Sequence, residues 1–431
     1  MMAAPASPAR QTSRTSLHWI GVICGLTAGV GLGAAEAPTK LVTIGLSPFM
    51  VSLGMVAGVF VARWTVPIVL KGSDYVWADL GERPHLVIWA LLAGMLWAVA
   101  NTLTVFAIRD VGLSVAFPLW NTNSLVGLFW GWLLFNELRW AGAAARTRVL
   151  GGAAAIVVGA CLTGLATSHQ ETGSVHPTMG MVAAVGAGML WGTMYIPYRK
   201  AYISGMNPLS FVTVFTFAEL GTTLAFALIY EGGPQGLLSA LTAARPVLFW
   251  LFLGGFCWVI GDLFQQYAAK YIGIGRGIPL SNTNQLWGLA WGVLVFGEFA
   301  GLGETGRVML ISGSLIMIGG ATAIAFAAAP ASEQVSWRAA MARECGRYGL
   351  NADRVAAAVA GDDPLSHGRA GRRWWEFLIA AAALGIFVWL AAVAARPDIP
   401  FDASWAAALT IVTALCIAGG GAVLYRRTRF S

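Results

Sequence analysis

One long stretch of this sequence occurs twice. Residues 112–137 read GLSVAFPLWNTNSLVGLFWGWLLFNE and residues 273–298 read GIGRGIPLSNTNQLWGLAWGVLVFGE, with 14 of 26 aligned positions identical and no gap. The offset of 161 residues also aligns residues outside this window: Trp97 with Trp258, Gly31 with Gly192, and Gly152 with Gly313. Such a period is far longer than that of a solenoid repeat. The chain is therefore predicted to contain two copies of one unit, residues 17–168 and 179–328.

The composition places both copies in a membrane. Of the 431 residues, 57% are apolar and only 11% are charged, whereas soluble domains carry about 25% charged residues. A transmembrane helix needs about 20 mostly apolar residues. Five spans are predicted in each repeat and two more in an extension, near 17–36, 41–62, 86–108, 113–136, 149–168, 179–200, 207–230, 247–270, 275–297, 308–328, 374–395 and 403–425. The predicted fold is an all-α polytopic membrane protein.

The basic residues predict the orientation of the chain. Residues 1–16 form a polar tail, residues 330–373 a basic linker, and residues 374–425 the two additional helices. With the N-terminus inside, 22 Lys and Arg residues, Arg63 among them, fall on the inner side and five on the outer side. Basic loops stay cytoplasmic, so both termini are predicted to be cytoplasmic in a multi-pass protein of a bacterial inner membrane. The net charge of +7 thus indicates sidedness and no nucleic-acid partner.

An odd number of spans in each repeat turns the second copy upside down relative to the first. Inverted repeats are typical of secondary transporters, whose substrate site lies near the membrane midplane between the repeats. The fold and composition therefore favour a carrier that works by alternating access. The extension from residue 330 is either a regulatory or oligomerising addition, consistent with a homodimer, or a neutral one.

The repeated Pro-Leu-x-Asn-Thr-Asn motif supplies the predicted binding residues. An asparagine about ten residues into a span lies about 15 Å deep, so the motif amides fall near the bilayer centre. A buried amide needs partners, and a proline at the start of the motif frees a carbonyl and kinks the helix. We predict a polar cavity for a hydroxyl-rich solute; the alternative is hydrogen bonding between helices alone. The motif residues are Asn121, Asn123, Asn282 and Asn284, with kinks at Pro118 and Pro279.

Tryptophans and further amides within the spans complete the predicted solute site. Aromatic rings offer a large amphipathic surface to the apolar faces of a sugar, and packing in the membrane core is the alternative. Trp97 and Trp258 are favoured because both repeats carry them. The remaining predicted contacts are Trp191, Asn101 and Gln265. The Gly127-xxx-Gly131 pattern is interpreted as helix packing.

Two carboxylates inside spans are predicted to serve ion coupling. Charges are costly in a membrane and mark functional sites, and Glu219 and Asp262 replace Gly58 and Asn101 of the first repeat. Such an asymmetry suits proton or sodium coupling. The alternative is a buried carboxylate paired with Lys270, Arg199 or a backbone donor. Glu137 and Glu298 lie at the C-terminal ends of spans, where the helix dipole disfavours a carboxylate, and are interpreted as capping against basic loops or belonging to a structural pair.

Motifs of enzymes are missing from the sequence. The five histidines lie at span ends or in loops, and neither HExxH, a nucleophile elbow nor a phosphate-binding glycine loop is present. The five cysteines show neither metal nor disulfide spacing. We predict no enzyme activity, cofactor or metal. A scaffold or sensor is a further alternative.

The motifs together resemble the drug/metabolite transporter superfamily. Ten spans in two inverted fives, Pro-Leu-x-Asn-Thr-Asn, and Tyr-Ile-Pro-Tyr-Arg-Lys at 195–200 are similar to its glucose/ribose porters and rhamnose–proton symporters. The resemblance covers about 17–328. It implies a central cavity lined by spans 1, 3, 4, 6, 8 and 9 and uptake of a sugar, with protons as the coupling ion. Export or facilitated passage of another small metabolite is the alternative within the superfamily.

Overall fold

The computed structural model describes residues 14–42, 45–167, 177–297, 302–328, 331–363, 372–395 and 399–431, and these residues contain helices and no strand. Ten of the helices are long and apolar enough to cross a membrane. The predicted all-α polytopic fold is confirmed. The first repeat contains α1 (Arg14–Ala34), α2 (Glu36–Thr39), α3 (Pro48–Lys71), α4 (Asp74–Glu82), α5 (Leu86–Trp120), α6 (Asn123–Phe135) and α7 (Ala143–Thr167).

The second repeat and the extension follow in the same manner. The second repeat contains α8 (Pro177–Ile203), α9 (Pro208–Tyr230), α10 (Pro234–Ala244), α11 (Leu248–Ile272), α12 (Ile274–Ser281), α13 (Asn284–Ala290), a π-helical turn (Trp291–Val295) and α14 (Glu304–Ala325). The extension contains α15 (Ala331–Tyr348), α16 (Ala352–Val359), α17 (Trp374–Val393) and α18 (Ala403–Thr428).

Two of the twelve predicted spans are not single helices. The fourth span is split between the end of α5 and α6, and the ninth is split into α12, α13 and the π-helical turn. The second span is also misplaced by the prediction, since α3 covers Pro48–Lys71 and not 41–62. The hydrophobic window stops at Arg63, but the helix continues past this residue for two more turns. Arg63 was therefore wrongly assigned to a cytoplasmic loop.

The third and fourth spans run in opposite directions although α5 contains parts of both. Contacts along α8 show the reversal: Gly186 lies against Leu103, Gly180 against Val111, Gly188 against Trp120, and Gly192 against Val126. From Leu103 to Val111, the contacted glycine changes from Gly186 to Gly180, towards the start of α8. From Trp120 to Val126, it changes from Gly188 to Gly192, towards the end of α8. The chain turns back between these two residues.

Each helix of the first repeat packs against a helix of the second repeat, and a two-fold rotation maps these helix pairs onto one another. The contact of α1 with α11 is the counterpart of the contact of α5 with α8, because spans one and three correspond to spans six and eight. Span two packs on span seven through α3 and α9, and span five packs on span ten through α7 and α14. This pattern is that of two equivalent units related by a pseudo-two-fold axis.

Glycines show the same symmetry at atomic distances. A Cβ atom added to Gly152 would lie 2.6 Å from the backbone oxygen of Gly320, and one added to Gly159 would lie 2.5 Å from that of Gly313. The offset of 161 residues maps one contact onto the other. Because the helices touch backbone to backbone at these positions, any side chain would separate α7 from α14.

The extension is attached to the repeats by ion pairs. Arg276 of α12 donates two hydrogen bonds to Glu333 of α15, at 2.8 and 2.9 Å, and both side chains are closed to solvent. Lys200 at the end of α8 lies 3.0 Å from Glu344. His85 stacks on Tyr348 with ring centroids 3.7 Å apart. The α15 helix therefore lies against the same end of the bundle as the ends of α8 and α4.

The last residues of the chain lie within this end of the bundle. The carbonyl oxygen of Phe430 accepts hydrogen bonds from Lys71 Nζ (3.2 Å), Asn207 Nδ2 (2.7 Å) and Tyr267 OH (3.0 Å). Tyr271 OH donates to the carbonyl oxygen of Ser431 at 2.7 Å. Residues 430 and 431 are thus fastened to α3, α11 and the start of α9.

Candidate functional site

Both copies of the repeated motif break the helix at the same place. In the first repeat α5 ends at Trp120 and α6 begins at Asn123; in the second, α12 ends at Ser281 and α13 begins at Asn284. The threonine in each break donates from its hydroxyl to the carbonyl oxygen three residues earlier, at 2.7 Å for Thr122 and 2.8 Å for Thr283. The same two carbonyls also accept the backbone N–H of these threonines, at 3.4 Å for Thr122 and 3.3 Å for Thr283, so each hydroxyl supplements a long backbone hydrogen bond at the break. Irregular backbone at membrane depth is tolerated where protein or a polar cavity surrounds it.

The two breaks meet between the repeats. Asn282 Nδ2 donates to Asn123 Oδ1 at 3.1 Å, and both side chains are buried. Nearby polar atoms lack a hydrogen-bond partner in the described part of the chain, namely Oδ1 of Asn284 and both amide atoms of Gln285. A buried polar atom without a partner is costly, so water or a bound polar solute is expected beside it. Asn123 and Asn282 therefore lie together, and neighbouring amide groups have hydrogen-bonding atoms without a partner among the described residues.

The first helix approaches this break through a row of glycines. A Cβ atom on Gly29 would lie 2.2 Å from Thr283 Oγ1, and one on Gly33 would lie 2.5 Å from the backbone oxygen of Asn284. Only glycine permits this distance between α1 and the broken ninth span. The backbone of α1 thus forms one wall of the region where the two repeats meet.

Glu137 fixes the beginning of the broken ninth span. Its carboxylate accepts hydrogen bonds from the backbone N–H groups of Ile274 (3.2 Å) and Gly275 (2.8 Å), and lies 3.0 Å from Arg199 Nε. A carboxylate is favourable at a helix N-terminus. The interpretation of Glu137 as a member of a structural pair is confirmed by its contact with Arg199; its carboxylate caps the N-terminus of α12 in the other repeat and not a basic loop. Its counterpart, Glu298, lies outside the described residues.

The repeated tryptophans lie against each other. The ring centroids of Trp97 and Trp258 are 5.1 Å apart at an interplanar angle of 61°. Equivalent residues of two repeats can touch only at the axis that relates the repeats. Trp191 belongs to a different pair, since its ring lies 6.2 Å from that of Trp120.

The remaining predicted solute contacts are distributed over two places. Gln265 donates to Ser281 Oγ at 2.6 Å, which places it directly beside the break in the ninth span. Asn101 donates to Ser52 Oγ at 2.8 Å and is joined to α3. Pro279 lies within α12, three residues before Asn282. Pro118 lies near the end of α5, in the stretch where the chain turns back, and its side chain lies outside the described residues.

The two predicted coupling carboxylates share one arginine. Arg63 Nη1 donates to Glu219 Oε2 at 2.8 Å, and Arg63 Nη2 donates to Asp262 Oδ2 at 2.9 Å. The side chains of Arg63 and Glu219 are 0% exposed, and that of Asp262 is 1% exposed. The second oxygen of Asp262 accepts from Gln266 Nε2 at 2.8 Å. We refer to Arg63, Glu219 and Asp262 as the charge triad.

Lys270 and Arg199 were predicted as partners of these carboxylates, and both predictions were wrong. Arg199 is paired with Glu137, and Lys270 Nζ makes no hydrogen bond within the described residues. Arg63 was missed because basic residues were assigned to loops. The signal that could have found it is the apolar segment between Trp64 and Leu70, which shows that the span does not end at the arginine.

Two overlapping parts of the chain match families of known transporters. Residues 178–324 match the EamA-like transporter family, and residues 75–214 match the family described as Sugar transport protein. The chain resembles these transporters. The predicted resemblance to the drug/metabolite transporter superfamily and its sugar porters is thereby confirmed.

Individual relatives are named for sugar uptake. A sugar uptake protein of Streptococcus pyogenes serotype M1 is 42% identical over 131 residues, 30% of this chain and 39% of that protein. The glucose uptake protein GlcU of Staphylococcus xylosus is 22% identical over 223 residues, 49% of this chain and 69% of that protein. A solved crystal structure aligns with 70% of this chain and 95% of its own at 14% identity and a TM-score of 0.47. The chain thus spans about two-fifths of the length of the streptococcal relatives.

Proposed function

We propose that this protein is a secondary transporter that moves a small polar solute, a sugar, across a bacterial inner membrane by alternating access. The observation that carries the proposal is the meeting of the two broken spans. Asn123 and Asn282 join there, and Oδ1 of Asn284 and both amide atoms of Gln285 have no partner in the described residues. Hydrogen-bonding groups in excess at the broken spans, together with the paired rings of Trp97 and Trp258, suit a solute with hydroxyl groups and apolar faces.

The relatives support the choice of solute. The streptococcal and staphylococcal relatives are named for the uptake of sugar or glucose. Cytoplasmic N- and C-termini agree with the excess of basic residues on one side, even after Arg63 is moved into a span. Proton coupling through Glu219 and Asp262 belongs to the same proposal, because both are buried in the spans and, among the residues that the structure describes, a single arginine pairs with them.

Uptake into proteoliposomes tests the proposal. Labelled glucose, ribose and rhamnose are offered with and without an inward proton gradient, and gradient-driven accumulation of one of them is expected. Asn282→Ala should reduce this uptake at least tenfold, since the substitution removes the amide at the meeting point. Gln235→Ala is the matched control because Gln235 is an exposed amide on α10. Well-folded protein that takes up no sugar under either condition would overturn the sugar assignment.

A second candidate function is the transport of another small metabolite. The EamA-like match over residues 178–324 favours it, because that description names no solute. The same vesicles loaded with a mixture of labelled amino acids and nucleosides distinguish the two. Efflux of such a solute that Asn282→Ala abolishes, without sugar uptake, would support the metabolite carrier.

A further inference from the structure

The charge triad contains one more negative charge than positive charge. With both carboxyl groups ionised, Arg63 compensates one of the two carboxylates and a net charge of −1 remains. All three side chains are closed to solvent, and the triad lies on the spanning helices α3, α9 and α11. An uncompensated charge in a membrane interior is expensive. One proton bound to the triad removes this cost, whereas a second proton would leave a net positive charge.

The hydrogen bonds indicate which carboxyl group takes that proton. Asp262 uses both oxygens as acceptors, one from Arg63 and one from Gln266. Glu219 accepts from Arg63 with Oε2, while its Oε1 receives no amide or guanidinium hydrogen bond in the described part of the chain; the hydroxyl of Thr216, one turn earlier on α9, lies beside this carboxyl group and can accept as well as donate. A proton on Asp262 would disturb an accepted hydrogen bond, and a proton on Glu219 Oε1 would not. Glu219 is therefore the proton-binding member.

The neighbouring helices supply no other compensating charge among the described residues. Helix α8 presents Tyr195, Tyr198 and Tyr202 to the triad. Tyr202 donates to Gln266, and this bond continues the chain of hydrogen bonds from Asp262. On the α5 side, Gly94 packs against the backbone nitrogen of Glu219, so no titratable side chain faces Glu219 from there. The exchange of a single proton is thus left to the triad.

Arg63 also reaches the tryptophans of the candidate solute site. Its guanidinium carbon lies 4.1 Å from the centre of the Phe215 ring and 5.5 Å from that of Trp258. Trp258 in turn contacts Trp97. A guanidinium over an aromatic ring is held by the ring quadrupole, and this attraction is stronger when water is excluded. A movement of Trp258 on solute binding would therefore be transmitted to the guanidinium.

We propose that Arg63 is the positioning residue that makes solute binding and proton binding depend on each other. It neutralises Asp262, leaves one exchangeable proton to Glu219, and contacts the ring of Trp258. Proton binding consists of an O–H bond formed between Glu219 Oε1 and a proton from water on one side of the membrane; release to the other side breaks it. The inference rests on the proposed function and predicts one proton, hence one positive charge, for each neutral sugar molecule.

The first test separates proton coupling from transport. Glu219→Gln retains the shape of the carboxyl group and cannot exchange a proton. Gradient-driven accumulation should fall at least tenfold, while exchange of labelled for unlabelled sugar across the vesicle membrane persists. Wild-type protein that shows neither process would overturn the proposed function. Accumulation retained in Glu219→Gln would overturn the inference alone.

The second test concerns Arg63 itself. The double variant Arg63→Gln/Asp262→Asn keeps the net charge of the triad at −1 and keeps Glu219, but removes the contact with Trp258. We expect exchange to continue and the ratio of protons to sugar, measured as sugar-induced alkalinisation outside the vesicles, to fall from one to near zero. A ratio that stays at one would show that Arg63 is only a counter-ion and overturn the inference.

A third measurement covers the case in which the double variant does not fold. Arg63→Lys retains the charge but loses the planar contact with two carboxylates and a ring. The ratio of protons to sugar should drop below one in this variant. For wild-type protein, a ratio of two would contradict the single surplus charge of the triad, whatever the variants show.

Discussion

The ion pair between Arg276 and Glu333 gives the sharpest prediction for stability. The Arg276 side chain is 1% exposed and that of Glu333 is 0% exposed, and the guanidinium donates two hydrogen bonds to the carboxylate at 2.8 and 2.9 Å. Removing one partner of a buried pair leaves the other charge uncompensated, which costs about 3–5 kcal/mol. We therefore expect Glu333→Gln to lower the free energy of unfolding by about 3 kcal/mol or more.

A double-mutant cycle isolates this contact. Unfolding in detergent micelles by added sodium dodecyl sulfate, followed by tryptophan fluorescence, gives the free energies of wild type, the two single glutamine variants and the double variant. The double variant should be less destabilised than the sum of the two single variants by at least about 1 kcal/mol, because neither charge is then unpaired.

An exposed pair provides the control for this cycle. Arg373 Nε lies 3.2 Å from Asp74 Oδ1, but the two side chains are 60% and 34% exposed. Asp74→Asn should change the free energy of unfolding by less than about 1 kcal/mol. The reasoning is refuted if Glu333→Gln behaves like Asp74→Asn, or if the effects of the Arg276 and Glu333 variants simply add.

Three further outcomes follow from contacts at the site and the extension. Gly33→Ala should abolish transport and lower thermal stability, because its Cβ atom would meet backbone 2.5 Å away, whereas Gly319→Ala, with nothing within 4 Å, should change neither. Glu137→Gln should cost about 3 kcal/mol in the same unfolding assay, since a buried arginine loses its partner. Burial lowers the pKa of His85 below its ordinary value, so the folded protein favours the neutral form of the ring that stacks on Tyr348. As the pH falls below about 6.5 this contribution is lost, and limited proteolysis of α15 should accelerate at pH 5.5 in wild type but not in His85→Phe.

Much of the architecture could be predicted because the repeat and the apolar windows encode it. An odd number of spans in a duplicated unit implies inversion, and the paired packing of α1 with α11 and α5 with α8 agrees with it. Windows of hydropathy, however, register only the average along a span. They place the end of α3 at Arg63 and do not show that the fourth and ninth spans are broken at the Asn-Thr pairs.

The chemistry of the site depends on contacts that no single stretch contains. Glu219 and Asp262 were recognised as unusual from their own surroundings, but the residue between them comes from another helix of another repeat. In the same way, the sequence marks Asn123 and Asn284 as equivalent in depth without showing that Asn123 bonds to Asn282. Pairing between repeats requires the three-dimensional arrangement of both.

Residues 430 and 431 have a mechanical consequence for the carrier. The donors that hold them belong to α3 (Lys71), the cap of α9 (Asn207) and α11 (Tyr267 and Tyr271), which are the same three helices that carry Arg63, Glu219 and Asp262. Four such bonds are worth about 3 kcal/mol in total, or roughly a hundredfold in an equilibrium. We therefore expect this segment to hold α3, α9 and α11 together at this end of the bundle, so that a separation of the three helices there requires these hydrogen bonds to break first.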